Sequence, residues 1–112
     1  MGGMASLEVA ARADAKIAAG ALWAAAMPTD YSSATLPLLY LWGDTDGLLP
    51  RERFDDAREN LPANVEYVTV KGANHKNFAL YTHQFFDRAA TLDWMAQIDT
   101  ANELTARFFA QY

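Results

Sequence analysis

The sequence predicts an α/β fold of about three parallel strands flanked by helices, and three observations predict it. Two short runs rich in apolar residues, 36–42 and 65–70, stop at Gly43 and at Lys71-Gly72, as strands bounded by turn residues do. Between them, and again at the end of the chain, apolar residues recur at helical spacing. Strands and helices in that alternation pack as a parallel sheet with helices on its faces, and 112 residues suffice for one domain rather than two.

At the start of the chain, Met4, Leu7 and Val9 sit among alanines behind Gly2 and Gly3, which suits a small-residue helix running to about Ala13. Residues 16–26 (KIAAGALWAAA) are almost wholly apolar, so periodicity alone does not separate strand from helix. The turn-rich Pro28-Thr29-Asp30 and Ser32-Ser33 beyond them place this run as a first strand. The remaining link, residues 27–36, is short for a parallel crossover, which takes about a dozen residues. Residues 36–42 (LPLLYLW) read as a second strand buried on both faces. Pro50 suits a first helical turn, Glu52 suits the positive dipole end, and Phe54, Ala57 and Leu61 share a face, giving a helix over 50–61. Val65-Glu66-Tyr67-Val68-Thr69-Val70 is a third strand, so the spatial order is 1-2-3. Trp94, Ile98, Ala101, Leu104 and Phe108 form the stripe of a C-terminal helix, with Thr91 as its cap and Asp93 in its first turn.

Composition narrows the function classes. Hydrophobic residues make up 52% and charged residues 21%, a globular balance. The net charge is −5 and the nine Lys and Arg are scattered, so no stripe suits a phosphate backbone and nucleic acid is not an expected partner. With no cysteine, disulfides, thiolate metal sites and a Cys nucleophile are excluded. The longest apolar run, residues 17–27, is too short for a membrane span, and the N-terminus lacks the basic segment of a secretory signal. Met1-Gly2-Gly3-Met4-Ala5-Ser6 fits the N-myristoylation pattern only as small residues do by chance. The Glu52, Asp55, Asp56, Glu59 group reads as a solvated helix face rather than a metal site, Trp23, Trp42 and Trp94 as core or pocket wall, and His83 as solvent-facing.

Chemistry in an open α/β sheet collects at the carboxyl ends of strands. The second strand runs into Gly43-Asp44-Thr45-Asp46-Gly47 and the third into Gly72-Ala73-Asn74-His75, one helix and one strand apart. An acid and an imidazole thus emerge at neighbouring strand ends, where a carboxylate accepting from one ring nitrogen leaves the other as a general base.

These residues resemble the α/β-hydrolases. PLLYLWGDTD, residues 37–46, resembles the strand ending G-x-x-D that delivers the triad acid, and Gly72-Ala73-Asn74-His75 the G-x-x-H that delivers the base. Asn74-His75, Phe78, Tyr81, Gln84, Asp87, Ala90-Thr91 and Gln97 resemble the pattern G-G-N-H-x-x-F-x-x-Y-x-x-Q-x-G-D-G-x-A-T-I of a bacterial subgroup, with Ala73, Phe86 and Arg88 where glycines stand in that pattern. The resemblance implies a partial α/β-hydrolase fold, residues 1–112 being a single C-terminal portion of the domain, truncated just after the nucleophile of G-x-S-x-G-G. It implies catalytic roles for Asp46 and His75, an oxyanion-hole role for the nitrogen of Met1, an esterase-like action on a small-molecule acyl substrate without a cofactor, and inactivity of these residues alone. It also implies self-association, because the first strand's outer edge would lack its neighbour.

Two other readings stand beside it. Residues 38–49 (LLYLWGDTDGLL) imitate the D-x-D-G-T-L motif of haloacid dehalogenase-like phosphatases, in which Asp44 would attack phosphorus and Asp46 would act as acid and base with Mg²⁺, although Gly43 interrupts the strand and Leu48 replaces the threonine. A non-catalytic interaction module is the third. Ser6, within a helix, and Ser32 and Ser33, in a loop, do not sit where a nucleophile elbow would. Asp44 reads as a turn residue.

Overall fold

The computed structural model describes residues 2–10, 12, 16–79 and 85–112. Met1, Tyr81, His83 and Gln84 lie outside them, so the oxyanion-hole expectation for Met1 and the solvent-facing one for His83 do too.

The sheet is built around one strand. β2 (Leu38–Gly43) is buried at every residue and pairs in parallel on both sides, with β1 (Gly20–Trp23) and β3 (Val65–Val70), in the expected order β1-β2-β3. Alternation along β2 sorts the core into two layers. Leu38, Tyr40 and Trp42 point to one face, where Leu7 of α1 (Gly2–Ala10) and Phe54 and Ala57 of α2 (Arg51–Glu59) cover them. Leu39 and Leu41 point to the other, against Ala101 and Phe108 of α3 (Trp94–Phe109). Phe54 stacks on Trp42 with ring centroids 4.7 Å apart. The Tyr40 hydroxyl donates to the Ala25 carbonyl, and burial pushes its phenol pKa up.

β1 is shorter than the expected run. It stops at Trp23 because Ala24 turns into the left-handed region at φ 48°, while its N–H still donates to Leu41 O at 2.8 Å. Residues 24–37 therefore form the crossover, which removes the length difficulty. That crossover is tied to the end of α2, where Tyr31 N–H donates to Asn60 O at 2.7 Å and Asn60 Nδ2 to Met27 O at 2.7 Å.

Pro50 is the N-cap of α2 rather than its first residue, and Glu52, Asp55, Asp56 and Glu59 are exposed. The cap of α3 is Asp93, not Thr91: its carboxylate accepts from Met95 N and Ala96 N at 3.0 and 3.3 Å. The buried stripe of α3 is accordingly Gln97, Ala101 and Phe108, and Trp94, at the first turn, is 41% exposed instead of core. Among the described residues no helix is long and apolar enough to cross a membrane.

Candidate active site

β2 and β3 end side by side, and the turns that leave them are stitched together. Gly43 closes β2 directly against Ala73, where an added Cβ would stand 2.6 Å from the Ala73 carbonyl carbon. That close approach lets Thr45 reach across: its N–H and hydroxyl both donate to Ala73 O, at 3.0 and 2.7 Å. Asp44, on the same turn, accepts from Gly72 N–H at 2.7 Å, so it ties the two turns together, while the local cap of its own turn is made by Asp46, which accepts from Leu48 and Leu49 N–H.

Asp46 then enters the interior with no exposed side-chain surface. Its Oδ1 accepts from the N–H groups of Leu48 and Leu49 at 2.9 and 2.7 Å, and its Oδ2 lies 2.9 Å from His75 Nδ1. A buried carboxylate held by two backbone donors cannot rotate away without leaving those donors unpaired. The acid thus presents one fixed acceptor to the ring, so Nδ1 carries the proton and Nε2 the lone pair when His75 is neutral. The His75 side chain is 28% exposed, so the ring reaches solvent while its partner does not.

The hydrogen bond to Asp46 raises the His75 pKa above its usual value; burial opposes this, and the charges of Asp46 and Asp87 add to it. A raised histidine pKa means that the pair's contribution to folding is fully present below the unfolded value of about 6.5 and fades as pH rises through the folded value.

A second group of side chains, to which the sequence pattern assigned no role, surrounds His75. Gln97, fully buried on α3, grips the peptide of Asn74: Nε2 donates to Asn74 O at 2.8 Å and Oε1 accepts from Asn74 N–H at 3.2 Å. Asn74 Oδ1 accepts from Asn77 N–H at 3.1 Å and Nδ2 donates to Arg88 O at 2.8 Å. Asp87 accepts from backbone amides of both turns, and Arg88 Nη2 donates to the carbonyls of Asp44 and Asp46 at 3.1 and 3.3 Å. The spacing of Asn74 and Asp87 in the subgroup pattern was the available signal. Phe86, at one of the positions where that pattern has glycine, adopts φ 65°, the left-handed conformation that glycine takes without strain.

The serines lie elsewhere. Ser6 is on α1, while Ser32 and Ser33 sit in the crossover that feeds the start of β2, at the opposite end of the sheet from His75. No Gly-x-Ser-x-Gly occurs in the 112 residues.

A search of the curated proteins finds no match to the chain. The model of the alpha/beta hydrolase family, in contrast, matches residues 1–99, a span that holds all three parallel strands and both turns that bring Asp46 to His75. With that match and this sheet, the chain belongs to the alpha/beta hydrolase family.

Proposed function

We propose that Asp46 and His75 are the acid and base of a serine-type acyl hydrolase, and that the nucleophile comes from polypeptide outside these 112 residues. The observation that carries the reading is the 2.9 Å approach of Asp46 Oδ2 to His75 Nδ1 at the carboxyl ends of adjacent parallel strands. In that role His75 Nε2 takes the proton of a serine hydroxyl as its oxygen attacks an ester carbonyl carbon. The imidazolium, stabilised by Asp46, returns the proton to the departing alcohol, which leaves an acyl-serine. Water then attacks the acyl carbon with His75 again as base, releasing the acid and the serine. Small-molecule carboxylic esters are the substrate class, and no cofactor enters any step. The N–H of residue 1, once part of a peptide bond, is the proposed oxyanion donor beside a serine immediately ahead of it. Membership of the bacterial subgroup rests on the Asn74-His75, Phe78, Asp87 and Ala90-Thr91 spacing.

The test is a polypeptide with a strand and Gly-x-Ser placed ahead of residue 1. It should show burst kinetics on a short activated ester, while residues 1–112 alone should stay at background. A burst from the 112 residues alone, abolished by His75→Ala, would overturn the reading.

Association belongs to the same proposal. Among the described residues β1 pairs only with β2, and Ile17 beside its entry is exposed, so the outer β1 edge offers unpaired backbone to another strand. The 112 residues alone should gain sedimentation mass with concentration; one monomer mass throughout a micromolar series would contradict this.

A further inference from the structure

The geometry points to Asp87 as a positioning residue that sets His75 against Asp46 by latching the acid turn and the base turn to one carboxylate. This rests on the proposed acid–base role of the pair and adds a residue to it that touches neither substrate nor the reacting atoms.

The contacts are specific. Asp87 Oδ1 accepts from Gly47 N–H at 2.9 Å, one residue beyond the acid, and from the N–H of His75 itself at 3.3 Å. Oδ2 accepts from Lys76 N–H at 2.8 Å, and Oδ1 also accepts from Arg88 N–H at 3.0 Å. One side chain therefore bridges segments that emerge from different strands, on the residues flanking the Asp46–His75 hydrogen bond. Charge-assisted bonds to backbone amides are roughly twice as strong as neutral ones, so the carboxylate is suited to hold two turns together.

The surroundings are shaped to let the latch close. Gly47 has no room for a side chain: an added Cβ would stand 2.6 Å from Arg88 N and 2.8 Å from Asp87 Cα, backbone atoms that belong to the latch. Phe86, next to Asp87, holds its left-handed φ of 65° although the residue is 89% exposed and outside the core, and the bonds of Asp87 and Arg88 run directly on from this turn. Arg88 reinforces the same bracket through the carbonyls of Asp44 and Asp46. Misplacing a catalytic base by about 1 Å can cost on the order of 100-fold in rate, which is why a latch remote from substrate matters.

Among the described residues the charged groups acting on His75 are Asp46 and Asp87, the negative charge of Asp87 adding to the upward shift of the ring, while the positive N-terminal amine acts the other way. The experiment is NMR on the ¹⁵N-labelled 112-residue chain, following the low-field Nδ1 proton of His75, identified by its loss in Asp46→Asn, together with amide exchange. Asp87→Ala should speed exchange at Gly47, His75 and Lys76 and remove or broaden the Nδ1 resonance, while amides of β2 keep their protection. Asp87→Asn retains a carbonyl oxygen for Gly47 and His75 but turns an NH₂ toward Lys76 N–H. It should therefore keep the Nδ1 resonance, at a lower His75 pKa, and lose protection only at Lys76. An unchanged Nδ1 resonance in Asp87→Ala overturns the latch. If Asp87→Ala also unprotects β2, then Asp87→Asn decides: wild-type protection at Lys76 together with a wild-type His75 pKa overturns it. A wild-type chain with no such resonance overturns the acid–base reading itself, which separates the two failures.

Discussion

In a polypeptide that supplies the serine elbow, Asp46→Asn should lower kcat for a short activated ester by about 10⁴-fold, the scale expected when the triad acid loses its charge. The local geometry says why so isosteric a change is severe. Leu48 and Leu49 N–H groups demand an acceptor at the Oδ1 position, so the amide keeps its oxygen there and turns its NH₂ toward His75. A donor facing Nδ1 forces the proton onto Nε2, and the ring can no longer take the serine proton. Asp44→Asn should cost less than about 10-fold, because the amide oxygen can still accept from Gly72 N–H. Steady-state rates on the two variants decide between readings. Phosphate release in Mg²⁺ that Asp44→Asn abolishes would favour the phosphatase motif instead.

Gly43→Ala should destabilise the fold by about 2–3 kcal/mol, the upper part of the roughly 1–3 kcal/mol that overpacking costs, and lower Tm by roughly 10 °C for a chain of this size. The new methyl group would meet the backbone of Ala73, a fully buried residue whose carbonyl already accepts twice from Thr45. The nearest atoms are the Ala73 carbonyl and Cβ, so no flexible side chain is there to yield. Relief requires the base turn to move off the acid turn, so the Asp46–His75 bond should weaken together with stability. A thermal melt followed by circular dichroism measures the first effect, and a loss below about 0.5 kcal/mol, the level of an ordinary surface change, would contradict the packing argument.

The features legible in the residues were those that depend on local pattern. β2 and β3 are short apolar or alternating runs cut off by glycine, and the acid and base turns lead directly from those ends. β1 was harder, since an alanine-rich run carries no period and its end is set by the φ of Ala24, which no residue type announces. In α3 the core stripe includes Gln97, a polar residue buried because its amide pairs with the Asn74 peptide. Hydropathy spacing therefore assigned Trp94 to the core in its place. Asp87 was legible only as a motif letter, since its partners are backbone amides up to 40 residues away. Side-chain-to-backbone bonds between distant turns leave no trace in composition or periodicity.

The central claim is that Asp46 and His75 form one oriented acid–base pair, and the titration of His75 in the 112-residue chain tests it most directly. A carboxylate bonded to Nδ1 favours the charged ring, so NMR should give a His75 pKa above the ordinary value of about 6.5. Asp46→Asn removes the charge and the acceptor together, leaving burial and the N-terminal amine to pull down against Asp87, and the pKa should fall. A His75 that titrates at its ordinary value, with no response to Asp46→Asn, would contradict the account.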